Sequence, residues 1–353
     1  MKQSSINHQP LLWGLLHGAN DFVAGYMLAN YTYSHSYKDG ITMVVIYAIL
    51  GFGGQLPAGF WLDKQKQIRP FAIVSTSFLL SAIVFYFIDP YIAIVLTGIA
   101  GAGIHVTGGA VCLQVSDNKS GPLGIFTAPG VLGLTLGGIL GSMSSVYLLF
   151  PLLAIIILAI LIFKQGIPVY QAQHKNRESQ LDAHDWLMLS ILLIMCFRSF
   201  VFDIINSAAL HFEHGILVFG ISAFAGKIIG GYLADKIGWK KFIYITLPLA
   251  FVLFNFGREN IYAIAFGIAC LQSSVPLTLL LMWRSLPLFP ATASALSLGT
   301  SVALAGLPLY LNSKSINFDK TFSLHLIWAF VFVAMIIVWI VIGVYNKKRG
   351  LFN

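Results

Sequence analysis

Gly231-Tyr-Leu-Ala-Asp-Lys-Ile-Gly-Trp-Lys-Lys241 is the stretch of sequence that decides the fold. It begins at the end of an apolar segment and runs into a short basic turn. A shorter copy, Gly59-Phe-Trp-Leu-Asp-Lys64, ends another apolar segment in the first half of the chain. Both copies follow the pattern Gly-x-x-x-Asp-Lys. A motif that recurs at matching places in two halves predicts an internal repeat, which is typical of transporters.

The composition of the chain places these segments in a membrane. Of the 353 residues, 58% are hydrophobic and 10% are charged, whereas soluble domains are about 45–50% apolar and about 25% charged. The mean hydropathy is +0.82. These values exclude a soluble enzyme, a nucleic-acid-binding domain and a disordered chain. Three cysteines lie inside apolar runs, and we interpret them as small buried hydrophobic residues: Cys112, Cys196 and Cys270.

Apolar segments of the length that crosses a bilayer, about 20 residues, occur twelve times. They are residues 11–31, 41–62, 70–88, 91–115, 122–142, 145–163, 186–205, 215–234, 241–257, 261–283, 290–311 and 322–345. The polar segment 164–185 follows the sixth. We therefore predict an all-α membrane protein with twelve transmembrane helices in two pseudo-repeated six-helix bundles, residues 1–163 and 186–353, joined by a cytoplasmic linker at 164–185.

The basic residues predict the orientation of the chain, because cytoplasmic loops are rich in Lys and Arg. With the N-terminus inside, fifteen basic residues lie on the cytoplasmic side and four lie outside, namely Lys38, Arg258, Lys314 and Lys320. We expect both termini in the cytoplasm of a bacterium and the spans in its inner membrane. The net charge of +8 then needs no nucleic-acid partner.

The quoted motif resembles the signature loop of the major facilitator superfamily, Gly-x-Leu-Ala-Asp-Arg/Lys-x-Gly followed by basic residues. The first-half copy is degraded, because Gln65, Lys66 and Gln67 follow it and the second glycine is missing. The resemblance implies the superfamily fold, alternating access, and a transporter rather than an enzyme. It also implies that the motif residues latch the cytoplasmic side: Gly59, Asp63, Gly231, Asp235 and Lys236.

A narrower resemblance concerns short-loop members of that superfamily, such as the fosmidomycin-resistance exporters. It rests on the segments 16–22 and 124–133 and on Arg198-Ser199. Those members export or move small, often anionic molecules. The direction of transport therefore stays open.

Charged residues inside predicted spans are functional candidates, because a charge at the centre of a helix is costly. Asp21 lies eleven residues beyond Pro10, about 16 Å deep by helical rise. Arg198 lies twelve residues beyond Trp186, about 18 Å deep. In the resembled fold the first and seventh helices line the central cavity. An acid and a base at matching depth can then face each other.

Proton coupling is the role that we predict for Asp21, His17 and His105. His17 and Asp21 are four residues apart and share a helix face. A buried carboxylate can bind a proton when the cavity opens to one side and release it to the other, and histidine titrates near neutral pH. The alternative is that these side chains only hold neighbouring helices together.

Substrate binding is the role that we predict for a second set: Arg198, Lys227, Gln55, Asn20 and Tyr26. The planar fork of an arginine suits carboxylates and phosphates. Aligning the two motifs places Lys227 opposite Gln55, so both are expected to face inward. The alternatives are a structural pair of Arg198 with Asp203, and a Lys227 side chain that extends toward the cytoplasm.

The leading hypothesis is a secondary active transporter that moves a small anionic organic solute across the inner membrane, coupled to protons. A proton-driven drug or metabolite exporter and a divalent metal transporter are the alternatives. The chain lacks a nucleotide-binding loop and an HExxH motif, so no enzymatic activity is predicted. The expected partners are the solute, protons and membrane lipid, with a monomeric chain and with no cofactor or resident metal.

Overall fold

The computed structural model describes residues 8–143, 148–166, 183–257 and 259–311, together with five single residues between 332 and 343. All regular structure in this part of the chain is helical. The helices are α1 (Gln9–Ser34), α2 (Tyr37–Tyr47), α3 (Gln55–Gln65), α4 (Ile68–Phe85), α5 (Pro90–Val115), α6 (Gly121–Gly141), α7 (Phe150–Gln165), α8 (Ala183–Ser207), α9 (Gly215–Ile237), α10 (Trp239–Phe256), α11 (Ile261–Gln272), α12 (Val275–Ser285), α13 (Pro290–Ser294) and α14 (Ser301–Leu311).

Eleven of the predicted spans coincide with these helices or with pairs of them. Among the described residues, eight segments are long and apolar enough to cross a membrane. The first helix, α1, is not among them, because His17, Asn20 and Asp21 lower its hydropathy. Most of the twelfth predicted span, 322–345, and most of the linker, 164–185, lie outside the described residues. The described part of the chain is thus all helical and has the repeated long apolar helices of a multi-pass membrane protein.

Three of the spans contain an irregular segment. A π-helical segment, Ala48–Gly53, joins α2 to α3, and another, Ala295–Thr300, joins α13 to α14. The span that contains α11 and α12 is interrupted at Ser273 and Ser274. Short π-helical segments inside α-helices are frequent at functional sites. The two π-helical segments meet where Gly299 packs against the backbone of Phe52.

Glycines hold α1 against α6 with little space between the two backbones. Gly133 packs on the carbonyl of Gly18, and Gly137 packs on the carbonyl of Phe22. A Cβ atom at either glycine would collide with these carbonyls. Small residues permit this approach of membrane helices. This contact fixes the rotation of α1 about its axis, and therefore the direction in which its polar residues point.

Candidate functional site

His17, Asp21 and His105 form a buried cluster, to which α1 contributes the first two residues and α5 the third. Nε2 of His17 lies 3.1 Å from Oδ2 of Asp21, and Nε2 of His105 lies 3.5 Å from Oδ1. The two imidazole rings stand edge to face, with centroids 4.3 Å apart. The side-chain amide of Asn20 donates a hydrogen bond of 2.9 Å to Oδ1 of Asp21. The three residues predicted for proton coupling therefore meet at one carboxylate.

Backbone carbonyls determine which nitrogen of each imidazole carries hydrogen. Nδ1 of His17 lies 3.1 Å from the carbonyl oxygen of Phe126. Nδ1 of His105 lies 2.6 Å from the carbonyl oxygen of Gly101. A carbonyl oxygen only accepts hydrogen bonds, so Nδ1 is the protonated nitrogen in both rings. Nε2 of each ring is left to face the carboxylate.

A positive charge completes the cluster. In a neutral ring with hydrogen on Nδ1, Nε2 presents a lone pair, which a carboxylate oxygen at 3.1 Å repels. A proton between Nε2 and the carboxylate converts this repulsion into a charge-assisted hydrogen bond. A metal ion bound to Nε2 would have the same effect, and metal-binding histidines commonly donate their other nitrogen to a carbonyl. The geometry is therefore that of a cation or proton site.

The helix α6 covers this cluster at Gly130. A Cβ atom at this position would lie 2.7 Å from Oδ2 of Asp21 and would also collide with Nε2 of His17. Glycine is the residue that permits such an approach of backbone to functional groups. The backbone of α6 thus excludes solvent from one side of the cluster.

A cavity of about 220 Å³ lies beside the cluster. Residues from both halves of the chain line it. Its charged residues and histidines are His17, Asp21 and His105 from the first half and Arg198, Asp203 and Lys227 from the second half. The cavity thus brings the predicted proton-coupling residues and the two predicted cations to the same space.

Arg198 and Lys227 project from α8 and α9 and form no ion pair with a carboxylate in the described part of the chain. Arg198 is 4% exposed, and its Nη1 donates a hydrogen bond of 2.7 Å to Oγ1 of Thr278. Nζ of Lys227 lies 3.3 Å from the carbonyl oxygen of Thr127. Oδ2 of Asp203 has no hydrogen-bond partner among the described residues. The expected alternative, a structural pair of Arg198 with Asp203, is not formed.

Lys227 also acts electrostatically on the cluster. Its charge attracts the carboxylate of Asp21 and opposes a positive charge on His105. A buried cation without a carboxylate partner is costly. An anion that enters the cavity would therefore stabilise Arg198 and Lys227. It would interact with the same positive charges as the carboxylate of Asp21.

The other residues predicted for substrate binding lie away from the cavity wall. Gln55 is fully buried, donates from Nε2 to the carbonyl of Gly51 at 2.9 Å, and packs against Gly299. Tyr26 is fully buried and stacks on Phe22, with centroids 6.0 Å apart. Asn20 touches Asp21 rather than the open cavity. Sequence reasoning missed Thr278, which carries no sequence signal that identifies its role. Gly130 belongs to the segment 124–133 that the sequence singles out, but the sequence does not predict its contact with His17 and Asp21.

The first motif aspartate caps a helix in the second half of the chain. Oδ1 of Asp63 accepts from the backbone N–H of Ala291 at 3.1 Å. Oδ2 accepts from the N–H and the Oγ1 hydroxyl of Thr292, at 2.7 and 2.5 Å. The first turn of a helix has free N–H groups, and a carboxylate there is stabilised by the helix dipole. Gly59 allows the approach, because a Cβ there would lie 2.7 Å from the carbonyl oxygen of Ala291.

The second motif aspartate caps a helix in the first half. Oδ1 of Asp235 accepts from the N–H and the hydroxyl of Ser120, at 2.8 and 2.7 Å, and Oδ2 accepts from the N–H of Gly121 at 2.8 Å. Gly231 packs on the carbonyl of Ser120. Lys236, the last of the predicted gating residues, is exposed. The predicted cytoplasmic end of each half is therefore bonded to the other half.

Comparisons with known proteins agree with this architecture. Residues 11–257 match the model of the Major Facilitator Superfamily. The Escherichia coli fucose:proton symporter FucP is similar in structure, with 12% identity, 96% of this chain and 98% of that chain covered, and a TM-score of 0.69. A bacterial homologue of the iron transporter ferroportin, in an outward-facing state, is also similar. It has 15% identity, with 97% of this chain and 99% of that chain covered, and a TM-score of 0.65. The human organic anion transporter TETRAN has 14% identity, with 97% of this chain and 100% of that chain covered, and a TM-score of 0.62. Comparison with curated protein sequences gave no match.

Proposed function

Because this chain belongs to the major facilitator superfamily, whose members are transporters and not enzymes, we propose that it moves a small anionic organic solute across the bacterial inner membrane by alternating access, coupled to protons. The proposal includes twelve transmembrane helices in two six-helix bundles, residues 1–163 and 186–353, with a cytoplasmic linker and cytoplasmic termini. The distribution of basic residues and the similarity of fold over 96% of the chain support this topology.

One observation carries the proposed chemistry: the cluster around Asp21 and the cations Arg198 and Lys227 line the same cavity. The cations attract an anion, and the fork of Arg198 has donors beyond the one used on Thr278. The cluster requires a proton, or another positive charge, at Nε2 of its histidines. In this proposal, the solute and the proton bind within one electrostatic field.

This arrangement couples the two ligands through charge. When the cluster has lost its proton, the negative charge of Asp21 lowers the positive potential that Lys227 and Arg198 offer to an anion. When the cluster is protonated, that potential is fully available to the solute. The proton and the anion therefore bind together, which is the requirement for symport, and anion affinity increases as the pH falls.

Alternating access then depends on the two motif aspartates. Asp63 and Asp235 each accept three hydrogen bonds from the other half of the chain. Opening of the cytoplasmic side has to break these bonds. We propose that Gly59 and Gly231 permit the closed contact and that Lys236 contributes positive charge at this surface.

Transport of a divalent metal is the second candidate. One ligand atom each from His17, Asp21 and His105 can be chosen so that all three lie within 4.8 Å of one another, and both Nδ1 atoms bond to carbonyls as in metal sites. Arg198 and Lys227 repel a bare cation in the same cavity, which favours the anion. The named structures are a fucose:proton symporter, a homologue of an iron transporter and an organic anion transporter, so they do not decide between the candidates.

A thermal-unfolding screen of the purified chain tests the solute class. The probes are monocarboxylates, dicarboxylates, phosphonates, zinc and manganese chlorides, and lipophilic cations, each at pH 5.5 and pH 7.5. The proposal expects stabilisation by an anion, with a larger shift at the lower pH. Stabilisation by a metal alone, stronger at the higher pH because protons compete with it, would favour the second candidate. Stabilisation by lipophilic cations would favour a drug exporter.

A further inference from the structure

A second cavity, of about 420 Å³, forms a groove on the outside of the first half of the chain, between α3, α4 and α5. Its walls are mainly apolar. Trp61, Val74 and Ile99 line it and are 56%, 52% and 40% exposed, so they face the surroundings of the helices rather than the protein interior. The rings of Trp61 and Phe71 meet edge to face, with centroids 5.5 Å apart, at its wall. In a membrane the occupant of such a groove is hydrocarbon, not water.

The length of the groove matches one leaflet of a bilayer. On α4 and the residue before it, the lining runs from Gln67 to Phe78, which is about 16 Å by helical rise. The hydrocarbon of one leaflet is about half of the ~30 Å core. An acyl chain that enters the groove beside Gln67 therefore reaches the middle of the membrane at Phe78.

The polar end of the groove is positively charged. Lys64 and Lys66 are exposed at this end and form no ion pair in the described part of the chain. Arg69 lies on the other face of α4, where its guanidinium stands 6.0 Å from the ring centre of Phe163 on α7. Asp63, the only acidic residue from 58 to 78, faces away and bonds to α13. The side-chain amides of Gln65 and Gln67 line the groove at the same end and offer hydrogen-bond donors.

We propose that this groove is a binding site for an anionic phospholipid of the cytoplasmic leaflet. One acyl chain lies between α3, α4 and α5, and the phosphate lies beside Lys64 and Lys66. Basic residues next to a membrane helix attract anionic headgroups, and the apolar groove selects a lipid over free phosphate. The proposal depends on the cytoplasmic location of Lys64 and not on the transported solute.

Native mass spectrometry of the full chain, with dioleoyl phosphatidylglycerol or dioleoyl phosphatidylcholine as probe, tests the headgroup. We expect saturable binding of one phosphatidylglycerol, weakened about tenfold in the double variant Lys64→Gln, Lys66→Gln. The matched control is Lys240→Gln, Lys241→Gln, which makes the same change of charge at the same membrane face away from the groove and is expected to bind normally. Equal binding of both lipids, or equal loss in both double variants, overturns the proposal.

A pair of tryptophan variants tests the groove itself. Val74→Trp fills it, whereas Ile73→Trp adds the same bulk at a neighbouring exposed position that does not line it. We expect phosphatidylglycerol binding to be lost in the first variant and kept in the second, with both proteins folded by circular dichroism. Unchanged binding in Val74→Trp would show that the lipid is held only at the surface charges, and the groove would not be a site.

Discussion

Asp63 and Asp235 make the same contact in opposite directions across the chain. Asp63 caps α13, which belongs to the second half, and Asp235 caps α6, which belongs to the first. In each case a glycine four residues earlier packs on a carbonyl of the capped segment: Gly59 on Ala291 and Gly231 on Ser120. The repeat of Gly-x-x-x-Asp in the sequence is therefore also a repeat of inter-half contacts.

Removing one of these caps should shift the chain toward an open cytoplasmic side. Asp63→Asn and Asp235→Asn each lose the negative charge and one of the two acceptor oxygens. A hydrogen bond to a charged group contributes about 1.5–3 kcal/mol, which is roughly tenfold or more in an equilibrium. The measurement is the rate at which a membrane-impermeant thiol reagent, added from the cytoplasmic side, labels a cysteine in place of the cavity residue Ser297. The double variant should be labelled fastest.

The control for this experiment is Asp89→Asn. Asp89 caps α5 within its own half, through the N–H groups of Tyr91 and Ile92. Its loss should lower the melting temperature slightly and leave the labelling rate unchanged. A labelling rate that rises as much in Asp89→Asn as in Asp63→Asn would mean that only general stability had changed.

Gly130→Ala should disable the cluster without replacing any charged or titratable side chain. The added methyl group would press on Nε2 of His17 and Oδ2 of Asp21, so the proton between them is lost or displaced. We expect at least a tenfold loss of solute uptake, measured in vesicles. Gly138→Ala, on the same helix, places its methyl group in open space and should transport normally. Normal uptake by Gly130→Ala would exclude a role for the cluster in transport.

Arg198→Lys should weaken anion binding although the charge is kept, because the planar fork that can grip two oxygens is lost. Lys227→Gln, which copies Gln55 of the other half, should weaken binding as well and should reduce its increase at low pH. Both effects are measured as the stabilisation of the purified protein by the best carboxylate or phosphonate of the screen. If the anion stabilises a folded Arg198→Lys protein as much as the wild type, Arg198 has a structural role and does not bind the anion.

The predicted topology is tested with single cysteines at Lys38 and Lys175. Lys38 lies at the start of α2, and Lys175 lies outside the described residues. The expected result is labelling of position 38 from the periplasm and of position 175 from the cytoplasm. Labelling of both positions from the same side would contradict the twelve-helix arrangement.

The sequence predicts the contents of the cavity in part. The spacing of His17 and Asp21 indicates a shared helix face, but the partner His105 comes from α5, and no local pattern reveals which distant helix completes a cluster. Nδ1 of His17 bonds to the carbonyl of Phe126 on a distant helix, which only the packing of α1 against α6 defines. Nδ1 of His105 bonds to Gly101 on the preceding turn of its own helix, a contact that a helix permits but its sequence does not require.

The motif alignment finds equivalent positions but not equivalent roles. Gln55 packs on Gly299, and Lys227 packs on Gly124, each at a contact with the other half of the chain. The lysine is long enough to reach the cavity. The shorter glutamine instead bonds to the carbonyl of Gly51 on the preceding turn. The two positions therefore differ in role because their side chains differ in length, which an alignment of the motifs does not take into account.

Proton-driven transport in Asp21→Asn is the most direct test of the account. The chain is reconstituted in liposomes, and uptake of the radiolabelled anion that most stabilises it is measured with and without a pH gradient, acidic outside. Asparagine keeps the shape of the side chain but cannot take up the proton. We predict that the wild type accumulates the anion only with the gradient, and that Asp21→Asn exchanges it across the membrane without accumulation. Gradient-driven accumulation by Asp21→Asn at the wild-type level would contradict proton coupling at this cluster.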